Sequence, residues 1–135
     1  MRSESETAHP YTKISLSEVE DAAASNGLGH RWEARVAREP LGAQETGLTH
    51  FRLHAGQRSP FSHRHRQAEE IYVILQGTGK IKLDDQILEV QPRDAIRVAP
   101  EVVRAFEAGA DGLEFLAVGP HRPSDGEPVD DAWVN

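Results

Sequence analysis

The 135-residue chain contains no cysteine, so disulfides, thiolate metal ligands and cysteine nucleophiles are excluded. Long hydrophobic runs are also missing: no stretch of about 18 apolar residues occurs, and the N-terminal residues lack the apolar segment of a secretory signal. The formal net charge of −7 argues against general binding to nucleic acids or anionic membranes. We therefore expect a cytoplasmic protein whose partner is a small molecule.

Two common catalytic motifs are missing as well. No glycine-rich phosphate loop links a strand to a helix, and no nucleophile elbow of the G-x-S-x-G type is present. A chain of this length forms one domain and buries a core without disulfides. Whether it is an enzyme stays open at this point, and the sequence identifies no catalytic residue.

Short β-type segments follow one another through most of the chain, and helix signals are confined to its first part. A capping-box signature, Ser17 followed by Glu20, predicts a short helix that ends at Asn26–Gly27. Strands are predicted at residues 31–37, 46–55, 70–76, 78–83, 86–90, 95–98, 102–107 and 113–118. Short strands at this regular spacing indicate an all-β sandwich or barrel.

The two ends of the chain differ from this pattern. Residues 1–12 are polar and are predicted to form a disordered or extended tail. Residues 120–135 are rich in Pro, Asp and Gly and are predicted to form an extended tail, with Trp133 as its only large anchor. The barrel domain is therefore expected to span residues 13–119.

Two histidines and a glutamate form the most informative motif of the chain. His63 and His65 are two residues apart, so on an extended strand their side chains point to the same face. After a short turn, Glu70 at the start of the next predicted strand can point to the same place. Two imidazoles and one carboxylate that converge form a divalent-metal site, and they are also the ligand set of non-haem iron oxygenases. These residue types do not distinguish iron, manganese, nickel or zinc.

The surrounding stretch resembles the first motif of the cupin family, in which a glycine, an H-x-H, a glutamate and a second glycine follow at set spacings. Six residues, one more than usual, separate Gly56 from His63, and six separate Glu70 from Gly77. Glu69 would fit a shorter spacing, but only Glu70 keeps the six residues before Gly77. The resemblance implies a jelly-roll β-barrel in which the H-x-H and the glutamate hold a divalent metal ion.

The second cupin motif departs from the family pattern at two positions. The usual Pro-Gly-Asp turn is here Pro92-Arg93-Asp94, and Arg104 stands where the family has a histidine as fourth metal ligand. An arginine keeps its proton in proteins and is not a normal metal ligand. Three outcomes are open for Arg104. It points outward and leaves a three-ligand site, it pairs with Glu70 and replaces the metal, or it stands beside the metal and binds a carboxylate or phosphate of the substrate.

Strand alternation suggests further residues near the site. Tyr72 has the same parity as Glu70 and is predicted to line the pocket, with plain core packing as the alternative. His50 and Arg52 share one face of the strand at residues 46–55. Together with Tyr72 and Arg104 they are predicted to bind the substrate. His50 or His54 could instead replace the missing fourth ligand.

Three kinds of function remain open. The first is a metal-dependent cupin of the oxygenase or isomerase type, acting on a small oxygenated molecule. The second is a metal-free cupin that works as a sugar-type isomerase or epimerase, or as a small-molecule binding module. The third is a dimeric barrel that senses a small molecule for another protein. Arginines cluster near the two motifs, and they either form a positive mouth that suits an anionic ligand or are solvated residues at strand ends. The resemblance implies a homodimer, since cupins often pair through their sheets.

Overall fold

The structure, a computed structural model, describes residues 10–130 and 132–133. In these residues one curled antiparallel sheet of eight strands makes up most of the fold. The strands are β1 Trp32–Val36, β2 Thr46–Leu53, β3 Ser62–His65, β4 Glu70–Leu83, β5 Gln86–Val90, β6 Ala95–Val98, β7 Arg104–Pro120 and β8 Gly126–Val129. The helices are short: a 3₁₀ helix Leu16–Glu18, α1 Ala22–Ser25 and α2 Arg38–Leu41. The predicted all-β barrel with a short N-terminal helix is confirmed.

Two long strands, β4 and β7, organise the sheet. They pair along most of their length, from Ile71 opposite Val118 to Leu83 opposite Arg104. β4 also pairs with β5 and β6, while β7 also pairs with β2 and β3. The sequence predicted two strands for each of these segments, whereas the structure has one continuous strand with register shifts near Gly77. Such irregularities bend a strand around the core without ending it.

Gly77 lies at this bend because a larger residue does not fit there. Its φ is 79°, in the left-handed region that glycine adopts readily. A Cβ atom at this position would lie 2.0 Å from the carbonyl oxygen of Gly112 on β7. The glycine that closes the histidine motif is thus required for the close approach of β4 and β7.

A chain of aromatic contacts fills the barrel. The rings of Phe106 and Phe115 stack with centroids 4.1 Å apart, and Phe51 stacks on Phe115 at 5.2 Å. Trp32 continues the stack on Phe51 at 4.7 Å, and Tyr72 meets Phe106 edge-on at 4.9 Å. Each such pair contributes about 0.5–1.5 kcal/mol beyond the burial of its surface. This packing sets the positions of β1, β2, β4 and β7 relative to one another.

The N-terminal helix begins later than predicted. Asp21, not Ser17, is the N-cap of α1, and its Oδ1 accepts a hydrogen bond from the backbone N–H of Ala23 at 3.0 Å. The same oxygen accepts from the N–H of Ala34 in β1 at 2.9 Å. Asp21 is therefore favoured as the cap because it accepts hydrogen bonds from both the helix and the sheet. Val19, in an extended conformation, ends the 3₁₀ helix before it. The predicted end of the helix at Asn26–Gly27 is confirmed.

Gly126–Val129 of the C-terminal segment are part of the sheet, which corrects the predicted extended tail. β8 pairs with β3, with Ser62 opposite Val129 and His65 opposite Gly126. The polar composition of this segment hid the strand, because β8 is held by backbone hydrogen bonds to β3 and not by a regular apolar face. The predicted N-terminal tail falls mostly outside the described residues. None of the helices in the described ranges has the length and hydrophobicity needed to cross a bilayer.

Candidate metal centre

Two neighbouring strands bring the three predicted ligands together. β3 carries His63 and His65, and β4 begins at Glu70. The Oε1 atom of Glu70 lies 3.5 Å from Nε2 of His63 and 3.3 Å from Nε2 of His65. One potential ligand atom from each residue lies within 4.8 Å of the other two. The convergence that the two-residue spacing predicts is thus present in the structure.

The separations suit one divalent ion. Two ligand atoms that each lie about 2.1 Å from a metal, at angles of about 100–110°, are roughly 3.2–3.4 Å apart. The Nε2 atom of His65 is also buried and has no hydrogen-bond partner among the described residues. A buried polar atom without a partner is costly unless a ligand satisfies it. The distances from Glu70 to the two histidines, the ligand types and this nitrogen without a hydrogen bond therefore fit a divalent metal ion.

Glu70 is held in its charged form. Burial alone would raise the pKa of Glu70, but contacts with His63, His65 and Tyr72 together lower it far below the ordinary value. The contact with Glu70 in turn raises the pKa of His65, although burial opposes this shift. The site thus offers a cation one negative charge, from the carboxylate, at neutral pH.

Tyr72 approaches the same carboxylate from inside the barrel. Its hydroxyl donates a hydrogen bond to Oε1 of Glu70 at 2.5 Å and lies 3.4 Å from Nε2 of His63. Only 1% of its surface is exposed, and burial together with the charge of Glu70 raises its pKa well above the usual value. The hydroxyl therefore stays protonated. Tyr72 lines the site, as its parity predicts, and it packs in the core as well.

The side chain of Arg104 is buried next to Glu70. This side chain is 0% exposed, and its Nε is 3.7 Å from Oε1 of Glu70. Nη1 and Nη2 donate hydrogen bonds to the carbonyl oxygens of Pro100 and Ala99, both at 3.3 Å. Of the three outcomes left open by the sequence, the outward orientation is not the one observed. Arg104 pairs with Glu70, and its terminal nitrogens are held by the loop after β6.

The structure does not bring His50, Arg52 or His54 to this group. Phe51 points into the core, so its neighbours on β2 lie on the opposite face of the sheet. There Nε2 of His50 is 2.6 Å and Nη2 of Arg52 is 3.6 Å from the carboxylate of Glu114. His54 contacts a backbone carbonyl in the loop before β1 instead. Alternation grouped these residues correctly, but it does not tell which face of a strand is the inside.

Sequence reasoning missed one residue of the site, Asp125. Its Oδ2 lies 3.2 Å from Nδ1 of His65, on the side of the ring away from Nε2. Asp125 is 7% exposed. No local pattern marks it, because it precedes β8 in a segment with a coil-like composition. Only the pairing of β8 with β3 places it beside the H-x-H motif.

A cleft of about 590 Å³ opens on one side of the group. His65, Glu70 and Asp125 line this cleft together with residues from α1, α2 and the start of β2. A second space, lined by His63, Tyr72 and Arg104, measures only about 20 Å³. This is room for about one water molecule. A small molecule therefore has access to the site from the cleft side.

The family model for the cupin domain matches residues 49–119, more than half of the chain. The chain belongs to the cupin family. The matched range of this cupin includes the three candidate ligands and Arg104, and it ends before Asp125 and β8. A comparison with curated proteins finds no match.

Solved structures show the same fold. A cupin protein from Bacteroides fragilis is 29% identical, with a TM-score of 0.69, and the alignment covers 86% of this chain and 88% of that one. The polyketide cyclase RemF of Streptomyces resistomycificus is 21% identical, with a TM-score of 0.72 and coverage of 87% and 84%. A sugar phosphate isomerase of the cupin superfamily from Silicibacter pomeroyi is 20% identical, with a TM-score of 0.71 and coverage of 88% and 82%. The latter two likenesses concern the fold alone.

Proposed function

We propose that this cupin binds a divalent metal ion through His63, His65 and Glu70, and that it binds or acts on a small, oxygenated, anionic molecule at that ion. One observation carries the proposal: the three ligand atoms converge, and the buried Nε2 of His65 has no hydrogen-bond partner in the described part of the chain. Imidazole and carboxylate ligands suit iron, manganese, nickel and zinc, so the metal is identified only as divalent.

When bound, the ion would supply Lewis-acid or dioxygen-binding chemistry next to the cleft. The residues of the chain orient the ligand groups and limit the access of water to the site. Tyr72 keeps its proton and holds Oε1 of Glu70 by a hydrogen bond, which limits rotation of the carboxylate. The stacked rings behind Tyr72 leave room for only about one water molecule on the barrel side of the site. A substrate would therefore approach through the cleft, whose lining includes His65 and Glu70.

The charges around the site favour an anionic ligand. A divalent ion together with Glu70, Asp125 and Arg104 gives the site a local charge of about +1. Arg104 is buried and held by two carbonyl groups, so its charge stays in place. A carboxylate or phosphate in the cleft would be attracted to this charge without direct contact with the guanidinium. The predicted binding of substrate by His50 and Arg52 receives no support from their position on the outer face.

A metal-free cupin is the second candidate, and the contact between Arg104 and Glu70 favours it. The guanidinium already supplies a positive charge 3.7 Å from the carboxylate. In this case His65 would act on the ligand as an acid or base, because its raised pKa leaves more of the imidazole protonated near neutral pH. A sugar-type isomerisation or epimerisation, or simple binding, would fit such a site.

Metal analysis of protein purified without an affinity tag separates the two candidates. We expect about one equivalent of metal after incubation with iron, manganese, nickel or zinc, and a loss of this binding in His63→Ala and Glu70→Gln. His30→Ala is the matched control, since His30 is exposed and lies outside the site. Less than about a tenth of an equivalent with every metal would refute the metal proposal and leave the metal-free candidate.

We also propose a cytoplasmic homodimer formed through the outer face of the sheet. Ile71 and Leu75 on the outer side of β4 are 41% and 39% exposed. Apolar side chains on an open sheet face are typical of an interface between subunits. Sedimentation velocity tests this point, and a monomer at high protein concentration would contradict it.

A further inference from the structure

We infer that Asp125 is a positioning residue of the metal centre: its carboxylate holds His65 in the tautomer and ring orientation that point Nε2 toward Glu70. The inference rests on the proposed metal function only where it concerns metal affinity. The tautomer of His65 is a property of the protein without metal. Asp125 lies outside the matched family range, so the C-terminal strand adds this contribution to the site.

The contact between the two side chains decides which ring nitrogen carries hydrogen. An ionised carboxylate only accepts hydrogen bonds, so in the 3.2 Å contact Nδ1 of His65 must be the donor. The neutral imidazole has one N–H, and its other nitrogen, Nε2, is then a bare acceptor. A metal ion binds this form of the ring, and a carboxylate partner on the second nitrogen is a common way to fix it.

In the neutral ring, the absence of a hydrogen bond at Nε2 follows from this arrangement. Nε2 lies 3.3 Å from Oε1 of Glu70 without a hydrogen bond between them. If Asp125 keeps the hydrogen on Nδ1, the lone pair of Nε2 faces a carboxylate oxygen, and the two repel each other. A cation between Nε2 and Oε1 removes the repulsion. By keeping the hydrogen on Nδ1, Asp125 therefore favours a positive ion between Nε2 of His65 and Oε1 of Glu70.

Asp125 is itself held in place, which makes it an effective support. Its Oδ1 accepts from the backbone N–H of Gln67 at 2.8 Å, and its Oδ2 accepts from that of Ala68 at 2.9 Å. Its carbonyl oxygen accepts from the N–H of Arg66 at 3.0 Å. These three donors form the turn between β3 and β4. One residue thus orients His65 and fixes the turn that sets the spacing from His65 to Glu70.

The register of the sheet supplies the position of Asp125. Gly126, the first residue of β8, lies opposite His65, the last residue of β3. Asp125, the residue before β8, therefore lies beside the ring of His65. A second carboxylate, Glu127 on β8, points elsewhere and pairs with Arg64 and Arg66. It provides a matched control for any change at Asp125.

Nitrogen-15 NMR of the imidazoles tests the inference directly on the metal-free protein, on the alkaline side of the pKa of His65. In the unaltered protein we expect His65 to carry its hydrogen on Nδ1. In Asp125→Ala this preference should be lost, while Glu127→Gln should leave it unchanged. A hydrogen on Nε2 in the unaltered protein overturns the inference without the use of any variant.

Zinc affinity, measured by calorimetry, is the second readout. We expect Asp125→Ala to bind zinc about 10–100-fold more weakly, as for other outer-shell partners of metal-bound histidines. The zinc affinity of Asp125→Asn should lie between those of the original protein and Asp125→Ala, because its amide oxygen still accepts one of the hydrogen bonds. An unchanged tautomer in both variants, with zinc affinity within about twofold of the original, would overturn the inference.

The two proposals fail in different ways. If the unaltered protein binds no metal but His65 carries its hydrogen on Nδ1 only when Asp125 is present, the metal function is wrong and the positioning role stands. If metal binds and the tautomer does not depend on Asp125, the metal function stands and the positioning role is wrong. Circular dichroism of each variant shows whether the barrel is folded, and Asp125→Asn serves if Asp125→Ala does not fold.

Discussion

The Nε atom of Arg104 lies 3.7 Å from Oε1 of Glu70, at the place where the cupin pattern has a metal-binding histidine. His63 is the cross-strand neighbour of Arg104, so the arginine is built into the sheet beside the candidate ligands. It supplies a fixed positive charge where relatives with the full pattern would supply a ligand. A fixed positive charge at this position opposes cations and attracts anions.

Replacement of Arg104 by histidine should tighten metal binding by at least about tenfold, which corresponds to about 1.4 kcal/mol. A single positive charge about 5 Å from a divalent ion is repelled by at most roughly 6–7 kcal/mol at an effective dielectric constant near 20, so the expected gain is well within this limit. Titration calorimetry measures the change. Arg97→His is the control, because Arg97 is an exposed residue of β6. An unchanged affinity in a folded Arg104→His protein would show that more than one side chain separates this pocket from a four-ligand site.

Tyr72→Phe should reduce the free energy of unfolding of the metal-free protein by about 1.5–3 kcal/mol. The substitution removes the hydroxyl that donates to the charged Glu70 and leaves the packing of the ring on Phe106 unchanged. Urea unfolding measures the effect. Tyr11, which is 81% exposed, offers the matched substitution Tyr11→Phe, for which no change is expected. Equal effects of the two substitutions would mean that the Tyr72 hydroxyl contributes nothing specific.

Asp21→Ala should destabilise the protein by about 0.5–2 kcal/mol at neutral pH, because it removes the N-cap of α1. Burial alone would raise the pKa of Asp21, but hydrogen bonds from the N–H groups of Ala34 and Ala23 outweigh it and lower the pKa below its usual value of 3.8. A carboxyl group with a lowered pKa stabilises the fold above its unfolded pKa, and the effect is lost as the pH falls through the folded pKa. The difference between the two proteins should therefore shrink below about pH 4. Thermal unfolding at several pH values, with the exposed Asp85→Ala as control, measures it.

Arg93→Gly should stabilise the protein by up to about 1 kcal/mol. Arg93 has a φ of 76°, and a left-handed conformation costs a residue with a side chain about 1–2 kcal/mol. The greater freedom of glycine in the unfolded chain offsets about 0.5–1 kcal/mol of this gain. Thermal unfolding tests the sign. Arg97→Gly, within β6, should have the opposite effect, and a loss of stability in both would contradict the argument.

Gly77→Ala should be clearly more destabilising than Gly27→Ala. Both glycines have positive φ, 79° and 75°, so the backbone strain of the two substitutions is similar. Only at Gly77 does the new Cβ meet the carbonyl of Gly112, at 2.0 Å, whereas at Gly27 nothing lies within 4 Å. Overpacking of this kind adds typically 1–3 kcal/mol, which chemical unfolding of the pair resolves. Equal losses of unfolding free energy would show that β4 and β7 can move apart at Gly77 without an energetic penalty.

Much of the site could be predicted because it depends on local geometry. The two-residue spacing of His63 and His65 places both imidazoles on one face of β3 wherever that strand lies in the fold. Glu70 and Tyr72 follow the same rule on β4, and the short turn between the strands limits how far the two groups can separate. The positive φ at Arg93 also fits the glycine that the family turn normally has there.

Other features could not be predicted in this way. His50 and Arg52 were grouped correctly on one face of β2, yet that face lies outside the barrel, because Phe51 packs in the aromatic core. The C-terminal segment has the composition of a coil, and its strand exists because the edge of β3 is available for pairing. The predicted helix cap at Ser17 was wrong because Asp21 also receives a hydrogen bond from β1.

The sequence by itself determined the all-β architecture, the family and the three candidate ligands, since each of these is expressed in spacings of a few residues. The tertiary structure decided that Arg104 turns toward Glu70, that Asp125 supports His65 and that the site is reached from the cleft side. These features depend on contacts between segments tens of residues apart. Such contacts are set by strand pairing and core packing, which no local pattern of residues specifies.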